Sequence, residues 1–101
     1  MPREIVWLME AVGDVVRLRI FIQEKNSQAT QRAASRIKEA AQILNENPEA
    51  GRLVEEMLPF RDLIIAFGSG NYILRYREEP GRLVIVRVRH SKEEEFQASV
   101  R

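Results

Sequence analysis

The fold turns on one stretch, Tyr72-Ile73-Leu74-Arg75-Tyr76-Arg77-Glu78-Glu79-Pro80-Gly81-Arg82-Leu83-Val84-Ile85-Val86-Arg87-Val88-Arg89-His90. Two runs of β-branched and aromatic residues, Tyr72 to Arg77 and Leu83 to His90, flank a Glu78–Gly81 segment whose Pro-Gly pair marks a turn. The stretch therefore predicts an antiparallel hairpin. Side chains alternate between faces along a strand. Tyr72, Leu74 and Tyr76 share one face of the first run, and Ile73, Arg75 and Arg77 the other. In the second run Val84, Val86, Val88 and His90 oppose Leu83, Ile85, Arg87 and Arg89.

Register decides which faces coincide, because a one-residue slip turns every side chain over. A loop from Glu78 to Gly81 sets Arg77 opposite Arg82 and Arg75 beside Val84 and Val86, mixing charge into the apolar face. A loop of odd length gathers Arg75, Arg77, Arg87 and Arg89 and leaves the aromatics with the valines. The second arrangement satisfies the pattern better, so we expect an open sheet face carrying four arginines. Like charges set side by side repel. Four guanidiniums together ask for an anionic partner, either phosphate or an acidic protein segment; the plain alternative is a solvated surface.

Working outward, Leu63 to Phe67 reads as a further strand, joined to the hairpin by the Gly68-Ser69-Gly70-Asn71 turn signal. Pro48 to Pro59 carries little pattern, with Leu53, Val54, Met57 and Leu58 available to pack over the core. Before it, Ala29, Ala33, Ile37, Ala40, Ala41 and Leu44 form the stripe of a helix that Asn47-Pro48 ends. Ala11, Val15, Leu18 and Ile22 mark an earlier helix, its apolar face widened by Val12, Val16, Ile20 and Phe21. Gly13 costs about 1 kcal/mol in a helix, which places the expected start just after it, with Asp14 in the first turn. Asn26 and Ser27 supply capping chemistry between the two helices. Ile5, Val6, Trp7 and Leu8, within Arg3 to Met9, read as a buried strand. The order implies an α+β domain: an N-terminal strand, an antiparallel helical hairpin, then a three-stranded antiparallel meander, all forming one sheet with helices on one face. The polar tail from Ser91, ending in Phe96 and Val100, reads as a short helix or as disorder.

Composition narrows function. A chain of 101 residues is expected to form one domain. With 16 Lys and Arg against 15 Asp and Glu, the net charge is +1, so direct binding to nucleic acid is not expected. No cysteine is present and His90 is the sole histidine, which argues against disulfides, thiolate metal sites and His-rich metal sites. No cofactor is expected. The apolar run Ile5 to Met9 is too short for a secretion signal, and no stretch approaches the roughly 20 apolar residues of a membrane span, so a cytoplasmic location is expected. His90, with no recognisable acid or nucleophile partner, reads as structural, and Tyr72, Tyr76 and Trp7 read as core.

One further pattern runs along the chain. It comprises Ala11, Asp14, Val15, Leu18, Phe21 and Ile22, with Asn26 after them; Arg32, Ile37, Ala40 and Leu44; and Pro48 with Gly51-Arg52. It continues with Arg61 and Leu63 around Asp62, then Tyr72, Tyr76 and Arg77, and finally Arg87, Val88 and His90. In order and spacing, from about Arg3 to His90, this set resembles the RelE/ParE toxin superfamily of type II toxin–antitoxin systems, and its ParE-like branch most closely. The resemblance implies a toxin held in a hetero-oligomer by a cognate antitoxin, ParD-like or related. The antitoxin's C-terminal segment would fold over exposed apolar and basic surface, and the wide apolar face of the first helix leaves room for it.

Within the superfamily, RelE-like members cleave mRNA on the ribosome with cationic residues and a terminal tyrosine, whereas characterised ParE-like members typically poison DNA gyrase. Here the RelE-type catalytic arginine falls on Ile73, the closing basic cluster is reduced to Lys92 before Glu93, Glu94 and Glu95, and the tyrosine's nearest counterpart is Phe96. The resemblance thus implies a gyrase inhibitor acting by protein–protein contact, with no catalytic residue. The alternatives are a RelE-type ribonuclease and a degenerate, non-toxic antitoxin-binding protein. Candidate target- or partner-binding residues are Arg52, Arg61, Arg75, Arg77, Arg87 and Arg89.

Overall fold

The computed structural model describes residues 4–23, 27–67 and 70–91. Its elements are β1 (Glu4–Trp7), α1 (Met9–Gln23), α2 (Ser27–Glu46), β2 (Arg52–Leu53), β3 (Arg61–Phe67), β4 (Gly70–Glu79) and β5 (Arg82–His90). The strands form one sheet in the order β1-β5-β4-β3-β2. β1 runs parallel to β5, and every other pairing is antiparallel. The α+β order and the closing meander are as the sequence pattern implies, with two differences. The meander strands begin or end one or two residues beyond the apolar runs, and a two-residue β2 is added at the edge. The tail with Lys92 and Phe96, together with Asn26, lies outside the described residues.

One face of the sheet carries the core. Tyr72, Leu74 and Tyr76 of β4, with Leu83, Ile85 and Val88 of β5, meet Ala11 and Leu18 of α1 and Ala33, Ile37, Ala40, Ala41 and Leu44 of α2. The small alanines of α2 let the helices sit close to each other and to the sheet. Trp7 packs against this cluster from β1, half-buried. His90 is 8% exposed and stands edge-on to Tyr72, ring centroids 5.3 Å apart, in the structural place its sequence context implies.

α1 starts before Gly13, not after it. β1 hands the chain over through a Leu8 N–H bond to Ile85 O (3.0 Å), and Val12 N–H already closes a helical bond to Leu8 O (3.0 Å). Gly13 has open space around it, so its cost is backbone entropy alone. The expected packing of Leu53, Met57 and Leu58 over the core does not occur either, since they are 46%, 44% and 64% exposed. These residues belong to an arm at the sheet edge, made of β2 and a short helical turn at Glu55–Met57, which stands beside the open face.

The hairpin register resolves in an unexpected way. Glu79 pairs with Arg82, so the loop is only Pro80-Gly81, an even number. Proline fixes its own φ, and Gly81 takes φ +76°, a region that costs glycine little. Parity changes further up, where Tyr76 pairs with Ile85 but Arg75 pairs with Arg87, leaving Val86 as the extra residue of a β-bulge. Leu83 and Ile85 therefore join the core face, against expectation, while Arg75 lies opposite Arg87 and Ile73 opposite Arg89. Arg77 pairs with Val84, which is 1% exposed. Among the described residues no helix is long and apolar enough to cross a membrane.

Candidate functional site

The sheet face turned away from the helices, together with the β2 arm, encloses an open groove of about 830 Å³. Ile64 and Ile73 form its apolar floor, Leu53 and Leu58 line its arm side, and Arg52, Arg75 and Arg89 border it with Glu55, Glu56 and Asp62. Three of the six candidate arginines thus share one surface. Arg52 is exposed on β2, whereas Arg75 is held: its Nε and Nη2 donate to Asp62 Oδ1 (2.9 Å) and Oδ2 (3.0 Å), both side chains being under one-fifth exposed. A third donor, Nη1, reaches Met57 Sδ at 3.4 Å.

The other three arginines hold the fold together. Arg61 Nη1 donates to Gly51 O at 2.8 Å. That loop is further fixed by Tyr76, whose hydroxyl accepts from Gly51 N–H (2.8 Å) and donates to Pro48 O (2.7 Å). Burial pushes the Tyr76 hydroxyl above its ordinary pKa, keeping it a neutral donor. Arg77 Nε donates to Glu79 Oε2 (2.7 Å), and its guanidinium lies 5.9 Å from the centre of the Phe60 ring. Glu79 also accepts from Arg82 Nε (2.7 Å), and these two hydrogen bonds lower its pKa.

Arg87 meets the most buried acid among the described residues. β1 ends opposite Ile85, so among the described residues no strand neighbours the outer edge of β5 beyond that point. Asp14 of α1 fills the gap. Its Oδ2 accepts from Val88 N–H (2.8 Å) and Arg87 Nε (2.7 Å), and its Oδ1 from Arg87 Nη2 (2.8 Å) and Arg17 Nη1 (2.6 Å). Asp14 is 2% exposed. Burial raises its pKa, but the bonds from Arg87, Val88 and Arg17 outweigh burial and leave it below the usual carboxylate value. The four-arginine face is therefore largely neutralised from within, by Asp62, Glu79 and Asp14. Among the described residues no group of three or more His, Asp or Glu side chains is placed to hold a metal.

A second, apolar groove of about 430 Å³ lies between the helices beside β1, lined by Ile5, Trp7, Val12, Val15, Val16 and Ile37, with Lys38 at its rim. It continues onto the outer face of α1, where Met9, Val12, Val16 and Ile20 are 82%, 43%, 52% and 55% exposed. This stripe repeats at helical spacing and is legible in the sequence, as is Asp14, an acid set between the apolar Ala11 and Leu18 of one helix face. The groove floor at Ile64 and the pairing of Asp62 with Arg75 carry no local signal.

The chain is similar to known proteins. The family model described as "ParE toxin of type II toxin-antitoxin system, parDE" matches residues 5–95. The chain is 38% identical over 88 residues to "Toxin RelE2" of Caulobacter vibrioides, covering 87% of this chain and 94% of that protein. It is 34% identical over 80 residues to "Toxin RelE3" of the same organism, covering 79% and 85%. Among solved structures, a chain of the "Chromosomal ParDE TA system from P. aeruginosa" superposes with a TM-score of 0.70 at 19% identity, covering 87% of this chain and 95% of that one, a likeness of fold.

Proposed function

This chain belongs to the ParE toxin family of type II toxin–antitoxin systems, and from that premise we propose that it inhibits DNA gyrase by protein–protein contact through the open-face groove. The observation that carries this reading is Ile73. It lies on the groove floor, at the position where the resemblance would put a ribonuclease's arginine, and the neighbouring Arg75 is clamped by Asp62. A phosphoryl-transfer site stabilises developing charge with donors aimed at it. An apolar floor bordered by Arg52 and Arg89 instead has the make-up of a protein contact surface.

The cognate antitoxin, in this reading, lays an amphipathic helix on the apolar groove and the Met9, Val12, Val16 and Ile20 stripe of α1, forming a hetero-oligomer. The RelE names of the Caulobacter relatives favour a second reading, mRNA cleavage on the ribosome.

Two assays on the purified chain separate these readings. With gyrase and relaxed plasmid, we expect supercoiling to stop and cleaved complexes to accumulate, while mRNA on translating ribosomes stays whole. Codon-specific cuts with gyrase unaffected would establish the second reading. Silence in both, with tight antitoxin binding, would leave an interaction-only protein.

A further inference from the structure

Among the described residues, the outer edge of β3 has no strand beside it over most of its length. β2 pairs only with Arg61 and Asp62, so among the described residues no strand pairs with the outer edge from Leu63 to Phe67. The ladder fixes which backbone groups face outward there. Asn71 directs its N–H to Ser91 Oγ (2.9 Å) and its C=O to Ser91 N–H (2.8 Å), both on the β5 side. Ala66, opposite Asn71, is therefore in a non-hydrogen-bonded pair and turns its N–H and C=O away from β4. By alternation Ile64 does the same. Arg36 Nη2 reaches Ala66 O from outside at 3.2 Å, in agreement with that direction.

A groove of about 670 Å³ runs between this edge and α2, floored by Ala66 and Phe67 and walled by Arg32, Ser35, Arg36 and Glu39. Two guanidiniums stand against one carboxylate. Glu39 is only loosely engaged, 3.9 Å from Arg36 and with both side chains well exposed.

We propose that this edge takes up an extended acidic segment of a partner protein as an added strand. Its main chain pairs with Ile64 and Ala66, and a carboxylate side chain meets Arg32 and Arg36. An edge with outward N–H and C=O groups is a ready template for strand addition, with main-chain bonds giving affinity and alternate side chains specificity. Arg36 makes the exchange favourable. A charge-assisted bond to a carboxylate is stronger than one to a neutral carbonyl, so the incoming acid draws Arg36 off Ala66 O and releases that acceptor to the new strand. A second copy of the chain fits less well, since pairing about Ala66 would bring the same two arginines of each copy together. The inference stands independently of the toxin reading.

The test uses the full chain and two capped eight-residue peptides, one alternating valine with glutamate, the other valine with lysine. We expect the glutamate peptide alone to bind by calorimetry, and to slow amide exchange at Ile64 and Ala66 by about tenfold or more. Ala66→Pro deletes one outward N–H without touching a β3–β4 bond, as edge prolines do, and should weaken binding about tenfold. The double variant Arg32→Ala with Arg36→Ala, on the helix surface, should do likewise and decides the matter if the proline variant fails to fold. Absence of binding, protection located elsewhere, or affinity unchanged in whichever of these variants folds would overturn the proposal. So would self-association of the chain that these variants abolish.

Discussion

Replacing Asp14 by Asn keeps the shape of the side chain and removes only its charge. In the native fold this carboxylate holds the Arg87 fork, the Arg17 guanidinium and the Val88 amide at the edge of β5 beyond the end of β1. Asparagine can still accept from Val88, but it leaves Arg87 facing a neutral group that also carries donors. Breaking one side of a buried ion pair costs about 3 to 5 kcal/mol. The lower end applies, because Arg17 is 45% and Arg87 16% exposed and water recovers part of the loss. A loss of about 3 kcal/mol lowers the melting temperature of a domain of this size by roughly 12 to 24 °C. Adding Arg87→Met should restore part of it by removing the stranded cation.

The same residue sets a pH dependence. The folded carboxyl has its pKa lowered, so its contribution is fully present above the unfolded value near about 3.9 and is lost as pH falls through the folded value. The stability gap between wild type and Asp14→Asn should therefore close as pH drops below about 4. Urea unfolding at several pH values measures both effects. A loss under about 1 kcal/mol at pH 7, the scale of a surface pair, or a gap that persists at low pH, would refute this reasoning.

Further consequences attach to single residues. A Cβ on Gly51 would sit 2.6 Å from the Tyr76 ring, which is 0% exposed, so Gly51→Ala should cost about 1 to 3 kcal/mol in urea unfolding. Tyr76→Phe, which orphans Gly51 N–H and Pro48 O, should cost a similar amount. Val16→Glu changes a side chain that is 52% exposed and should leave stability within about 0.5 kcal/mol. The same change should weaken capture of the cognate antitoxin about tenfold or more, and unchanged affinity would clear the outer face of α1 of that role. Arg52→Glu, at an exposed position, should weaken gyrase inhibition about tenfold or more while the melting temperature holds; inhibition that survives unchanged would move the contact off this side of the groove.

The hairpin at Tyr72–His90 was legible because alternation survives along most of both strands. Its register was not, because the parity change attributed to an odd loop comes from a bulge at Val86, and a bulge leaves no mark in a run of valines and isoleucines. The helix faces read correctly from their spacing at the described side chains, Ala11, Val15 and Leu18 in α1 and Ala33, Ile37, Ala40, Ala41 and Leu44 in α2; Phe21, Ile22 and Ala29 lie outside these. The start of α1 did not, since Gly13 suggests a boundary that the short passage from Trp7 into Met9 overrides. β2 is too short to show any period. For the candidate site, the arginines were visible but their partners were not. Arg87 finds Asp14 at a separation of 73 residues, and Arg75 finds Asp62 across a strand pair whose register is set by the whole sheet. The open-face groove joins residues of β2, β3, β4 and β5, so no local window contains it.

The most direct measurement titrates the purified chain against a fixed concentration of gyrase, following supercoiling and cleaved complexes, beside a matched titration against translating ribosomes. Inhibition by contact predicts that gyrase activity falls in proportion to toxin and saturates once the two are equimolar, with mRNA intact throughout. Complete mRNA cleavage by toxin present far below the ribosome concentration, with gyrase untouched, would contradict it.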